Sequence, residues 1–122
     1  MTFQATILCI DDESETLRLR KQLLEMYGYS VLTASSGTDG LRLLSQGETV
    51  DLVLLDYAMP ELSGDRVAEE LKRLHPQVRI IIMSGFPELP ERLLRMVDGF
   101  VRKGEDPEKV IGTITRALES MR

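Results

Sequence analysis

Residues 51 to 56 read Asp-Leu-Val-Leu-Leu-Asp, with Pro60 shortly after. The apolar run is too short for a helix, is rich in branched side chains and has no polar alternation. It therefore predicts a strand covered on both faces, the usual pattern of a parallel sheet. Pro60 stops that strand and Ser63-Gly64 opens the next helix, which leaves Asp56 at the carboxyl end of a central strand. In open α/β sheets, ligands and chemistry gather along that edge. A lone aspartate is also a common turn former, so its meaning depends on what the rest of the chain brings beside it.

Along the whole chain, short apolar runs alternate with amphipathic ones, the signature of repeated βα units. The first strand is predicted over Thr6 to Ile10 and leads into Asp11-Asp12-Glu13. Ser14 stands where a helix N-cap is expected, Leu17, Leu19, Leu23, Leu24, Met26 and Tyr27 cover about half of a helical wheel, and Gly28 suits the C′ position. Tyr29 to Ala34 predicts a second strand. Ser36 or Gly37 starts a short helix with Leu41, Leu43 and Leu44, ended by Gly47. Val67, Ala68, Leu71 and Leu74 form the stripe of a third helix that runs to His75-Pro76, and Arg79 to Met83 is a fourth strand stopping at Ser84-Gly85.

Pro87 and Pro90 confine a fourth helix to residues 90 to 97, with Leu93, Leu94 and Val97 inward. Gly99 to Arg102 is a fifth strand followed by Lys103. Asp106-Pro107 starts a last helix, in which Val110, Ile111, Ile114, Ala117, Leu118 and Met121 recur at helical spacing. Five strands and five helices in alternation give a three-layer α/β/α sandwich over a single domain, residues 1–122. Periodicity does not order the strands. Of the common doubly wound arrangements, the flavodoxin-like order 2-1-3-4-5 suits five parallel strands and brings Asp11, Asp12 and Asp56 together.

Composition narrows the function classes. A formal charge of −5 disfavours a direct nucleic-acid footprint, which requires a basic stripe, so the expected partners are proteins. No apolar run is long enough to cross a membrane, and Met1-Thr2-Phe3-Gln4 lacks the pattern of a signal peptide, so a cytoplasmic setting is expected. Cys9, the only cysteine, is expected as a small buried strand residue, and His75, the only histidine, as a solvated helix end.

Every strand except the second is followed at once by a polar group suited to chemistry: Asp11 and Asp12, Asp56, Ser84 and Lys103. Carboxylates crowded in one cleft repel by about 4 kcal/mol per ionised pair at ~4 Å and an effective dielectric near 20, so they call for a cation or for raised pKa values. Hard oxygen donors without histidine or cysteine favour Mg2+. A carboxylate can also attack phosphorus, and phosphoryl transfer asks the protein mainly to position the donor and neutralise charge. Each group has a plainer reading when taken singly. The acidic triplet suits a helix N-terminus, Ser84 suits a turn, Lys103 suits solvent and Phe100 suits the core.

The segments Ile7 to Glu13, Asp56 to Gly64, Met83-Ser84-Gly85 and Gly99 to Lys103, in this order and spacing, resemble the receiver domain of two-component response regulators, the CheY-like superfamily. The resemblance covers nearly the whole chain. It implies that Asp56 accepts a phosphoryl group from a histidine kinase, a histidine phosphotransfer protein or a small donor such as acetyl phosphate. It implies Mg2+ held by Asp12, Asp56 and the Ala58 backbone carbonyl, with Asp11 acting through water. Ser84 and Lys103 would bind the phosphoryl oxygens, and Phe100 would turn inward with Ser84. The signal would pass through the fourth helix, fifth strand and fifth helix to a downstream protein or attached domain. Ala58 and Phe86 fall at positions that tune hydrolysis, and slow self-dephosphorylation is expected. No enzyme activity beyond self-phosphorylation and self-dephosphorylation is implied.

The chain departs from the family pattern in several places. Ser84 replaces the commoner threonine, and Phe100 lacks the phenolic hydroxyl of many members. Lys103-Gly104 stands where Lys-Pro is usual, which predicts a more mobile loop. The fourth helix is about one turn shorter than usual. The last two alter the usual output face and dimerisation through it, and a monomer or weak dimer is expected. The wording Met83-Ser84-Gly85-Phe86 is closer to receivers of hybrid sensor kinases, and the chain reads either as a free-standing receiver or as part of a larger protein. A phosphorylation-independent interaction module is the alternative. A haloacid-dehalogenase-type phosphatase would need an acid where Ala58 stands, and a dinucleotide site would need glycines where Asp11-Asp12-Glu13 stands.

Overall fold

A computed structural model describes residues 4–120 of the chain. Its elements are β1 (Thr6–Ile10), α1 (Ser14–Met26), β2 (Ser30–Ala34), α2 (Gly37–Ser45), β3 (Leu52–Asp56), α3 (Gly64–Leu74), β4 (Arg79–Ser84), α4 (Glu91–Met96), β5 (Gly99–Arg102) and α5 (Pro107–Glu119). The five strands form one parallel sheet in the order β2-β1-β3-β4-β5. Register aligns Ile10 with Leu55, Asp56 with Met83, and Ser84 with Arg102, so the strands end together on one edge.

Alternation along the strands divides the core into two layers. Ile7, Cys9, Leu52, Leu54, Ile81 and Met83 pack under α1 and α5, against Leu17, Leu24, Val110 and Ile114. Leu8, Ile10, Val53, Leu55, Ile80 and Ile82 face α2, α3 and α4, against Leu44, Val67, Leu71 and Leu93. All four apolar residues of β3 are fully buried, as a strand covered on both faces requires. Cys9 is fully buried too, and burial pushes its thiol up to about 12, with the nearby Arg20 opposing the shift.

Several boundaries differ from the sequence expectations. Glu13, not Ser14, is the N-cap of α1, and Ser14 begins the helix; neither Glu13 nor Asp106, the N-cap of α5, makes a side-chain cap. Ser36 does cap α2, its hydroxyl accepting the Asp39 N–H at 3.1 Å. β2 begins at Ser30 rather than Tyr29, and β4 runs on through Ser84. Only Leu17 and Leu24 of α1 are buried, whereas Leu19, Met26 and Tyr27 are exposed, because the sheet touches one narrow stripe of the helix. The fourth helix is only six residues long, with Leu93 buried, Leu94 exposed and Val97 half-buried beyond its end. His75 is half-buried as the C-cap of α3, its N–H bonded to the Leu71 carbonyl. Met1, Thr2, Phe3 and Met121 lie outside the described residues. Among those described, no helix is long and apolar enough to cross a membrane.

Candidate functional site

Two neighbouring strand ends at the carboxyl edge, those of β1 and β3, bring the acidic residues together. Asp11 follows β1 directly and is fully buried, Asp56 is the last residue of β3 and 1% exposed, and Asp12 faces solvent. One carboxylate oxygen from each lies within 4.8 Å of the others. The sheet ladder continues past the strand ends and sets these positions: the Asp11 N–H donates to the Ala34 carbonyl, the Tyr57 N–H to Met83, and the Lys103 N–H to Ser84. Lys103 is thereby aimed across the edge, and its Nζ stands 2.8 Å from Asp56 Oδ1. Among the described residues that ion-pair contact is the only partner of the Asp56 carboxylate, since neither oxygen meets a well-directed hydrogen-bond donor.

Burial is the main influence on Asp56 and holds its carboxyl above the usual range. Repulsion from Asp11 and Asp12 adds to this and Lys103 opposes it. For Lys103, partial burial alone would lower the pKa, but contact with Asp56 and attraction to Asp11 and Glu13 outweigh it and the ammonium is strengthened. The site is thus a desolvated carboxylate with one partly exposed cation at its side.

Ser84 is 2% exposed, and its Oγ accepts the Phe86 N–H at 2.9 Å. The hydroxyl proton is not used in that contact and remains free to donate. Phe86 is exposed and sets its ring edge-on to Tyr57, with centroids 6.0 Å apart. Ala58 is exposed two residues beyond Asp56. Phe100 sits farther along, half-buried in β5 on the α4 side, where it lines a shallow cleft with Pro87, Glu88, Leu89 and Leu94. Gly104 has φ +87°, a conformation closed to proline, so the loop after Lys103 follows a path that the usual Lys-Pro pair could not take.

Two contributors escape a reading of the sequence. Arg20 places NH1 3.2 Å from Asp11 Oδ2 with its side chain only 12% exposed. The available signal is its position between Leu17 and Leu24 on the buried stripe of α1, where a charge demands a partner. Gly64 opens α3 as expected, but it also presses on the backbone of the residues that follow Asp56.

The response regulator receiver domain model matches residues 7–115. The chain belongs to the response regulator receiver family. This receiver is 35% identical over 118 residues to the transcriptional regulatory protein GlrR of Escherichia coli (strain K12), a match covering 94% of the chain and 26% of GlrR. It is 35% identical over 85 residues to the sensor kinase CckA of Brucella abortus (strain 2308), covering 69% of the chain and 9% of that protein. Among solved structures it matches a response regulator receiver domain protein from Clostridium thermocellum with TM-score 0.87 and 38% identity over 95% of both chains. The receiver thus spans about a quarter or less of these two curated relatives. Its likeness to them establishes a two-component signalling domain with the CheY-like architecture.

Proposed function

We propose that Asp56 is the phosphoacceptor of this receiver. The observation that carries the reading is a buried carboxylate whose Oδ2 has no partner among the described residues, with Lys103 at 2.8 Å from Oδ1 and two further carboxylates within 4.8 Å. An Asp56 oxygen attacks phosphorus while the bond from phosphorus to the donor's nitrogen or oxygen breaks, and that electron pair leaves with the donor. The donor is a phosphohistidine on a histidine kinase or phosphotransfer protein, or a small molecule such as acetyl phosphate.

The donor set supports Mg2+, because the cluster offers only oxygen and an unpartnered buried carboxylate oxygen needs a cation or a proton. Asp12, Asp56 and the Ala58 carbonyl would hold it, with Asp11 acting through water. Bound there, Mg2+ supplies neutralisation of the phosphoryl oxygens as charge builds on them. Lys103 provides a second positive charge, already in place beside Asp56. Ser84 donates its free hydroxyl proton to a phosphoryl oxygen while keeping its Phe86 contact.

Phosphorylation adds roughly −1.5 to −2 charges and three strong acceptors. A shift from 1:99 to 99:1 between two surface states takes about 5.5 kcal/mol, and one hydroxyl bond contributes only ~1 kcal/mol. Lys103 and the cation must therefore contribute most of the bias. Movement of Ser84 carries Phe86 with it through their hydrogen bond, disturbs the ring contact with Tyr57 and frees space for Phe100 beside α4. A downstream protein or an attached domain reads that change. Neither the Ala58 nor the Phe86 side chain can orient a water molecule, so the phosphoaspartate is long-lived.

The test is intact mass after incubation with acetyl phosphate, with and without Mg2+, for the parent and for Asp56→Ala. A Mg2+-dependent gain of one phosphoryl group, absent in the variant, is expected. Labelling that persists in Asp56→Ala would move the acceptor elsewhere.

A further inference from the structure

The phosphoacceptor reading gives Arg20 no role, yet Arg20 is built into the acidic cluster. Its place on α1, between the buried Leu17 and Leu24, makes it a charge on a core-facing stripe. A guanidinium there is stable only with a close counter-charge, and Asp11 supplies it at 3.2 Å. The other oxygen of Asp11 accepts the Glu13 N–H at 2.9 Å. Both Asp11 oxygens therefore already have donors, whereas Asp56 Oδ2 has none among the described residues and Asp12 faces solvent.

We propose that Arg20 is a positioning residue that clamps Asp11, keeps it from direct coordination, and lowers the affinity of the cluster for a divalent cation. The inference rests on the magnesium reading of the cluster. The three carboxylates together carry three negative charges, of which Arg20 and Lys103 offset two. The two cations differ in kind. Lys103 has a flexible and partly exposed side chain that can follow an arriving phosphoryl group. Arg20 is largely buried on the α1 face against Asp11, so its charge offsets the cluster whether or not a phosphoryl group arrives. Occupancy of the site, and with it readiness for phosphoryl transfer, then depends on the ambient concentration of the cation.

The test is calorimetric titration of Mg2+ into the full chain and into R20M, R20Q and R20K, with circular dichroism to verify folding. R20M and R20Q should bind Mg2+ about tenfold more tightly, the size expected for one unit charge acting on a divalent ion across several ångströms of partly solvated protein. R20K, which keeps the charge, should stay within about twofold of the parent. Unchanged or weaker binding in the folded neutral variants overturns the proposal while leaving the magnesium site intact. Absence of any Mg2+ binding by the parent removes the magnesium reading itself, and this inference with it. Should both neutral variants fail to fold, the parent decides: the hydrogen-bonded guanidinium signals of Arg20 should persist in nuclear magnetic resonance spectra at saturating Mg2+. Their loss overturns the clamp.

Discussion

Gly64 donates its N–H to the Tyr57 carbonyl at 2.9 Å, and a Cβ on Gly64 would come within 2.7 Å of Tyr57 Cα and 2.9 Å of the Asp56 carbonyl oxygen. Those neighbours are backbone and cannot swing aside. The start of α3 is therefore stitched to the residue that follows Asp56, which fixes how the loop leaves β3. Gly64→Ala should destabilise the fold by about 2 kcal/mol, as overpacking does. Gly85→Ala, where nothing lies within 4 Å, should be nearly neutral. Urea denaturation midpoints decide the matter, and equal midpoints for the two variants would contradict the stitch.

Asp56 and Lys103 give opposite pH signatures. The folded pKa of Asp56 lies above its ordinary 3.8, chiefly through burial, so its charged form opposes folding at neutral pH. That cost is relieved as pH falls through the folded pKa. Lys103 is also raised, so its contribution is fully present below its ordinary 10.5 and is lost as pH rises through the folded value. Asp56→Asn should raise stability at pH 7 without divalent cations by about 1–2 kcal/mol, or ~4–8 °C in Tm. The gain should shrink on acidification through the folded pKa, where the parent carboxyl takes up its proton. A variant Tm at or below the parent's at pH 7 would refute this.

Lys103→Met removes the ion-pair partner of Asp56 and leaves Arg20 as the cation beside the three carboxylates among the described residues. Stability at neutral pH should fall by about 1 kcal/mol, a figure kept small because the Lys103 side chain is partly exposed. Labelling by acetyl phosphate should slow at least tenfold while its site remains Asp56, as peptide mass mapping would show. A parent-like labelling rate would mean that the lysine is dispensable.

Gly104→Pro would restore the pairing usual in the family, and the structure predicts that it fails here. Proline fixes φ near −65°, far from the +87° of Gly104, so the variant should lose about 3 kcal/mol. Gly104→Ala should lose about 1–2 kcal/mol for placing a side chain in left-handed space. Thermal melts of both provide the check, and a proline variant as stable as the parent would show that the loop can rearrange freely.

Legibility followed burial. β1, β3 and β4 announced themselves as apolar runs, because strands covered on both faces leave no room for polar residues, and the polar groups ending them marked the site edge. α1 was harder to read. Leu19 and Met26 carry the same apolar signal as Leu17 and Leu24 but point into solvent, and composition alone does not tell which stripe meets the sheet. Arg20 stayed hidden for the same reason, since its charge has meaning only once its stripe is known to be the inner one. Gly104 was visible as a departure, but its φ follows from the loop path rather than from local sequence.

The lone thiol has a practical side. Cys9 is sealed within the sheet and its pKa is pushed up to about 12, so at neutral pH it is neither exposed nor ionised for alkylation. A cysteine introduced on the surface, at Leu94 for example, would then be the single reactive sulfur in the folded chain. The receiver thus accepts one fluorophore or spin label at a chosen point with its native cysteine left in place, and motion beside α4 becomes measurable from a single position.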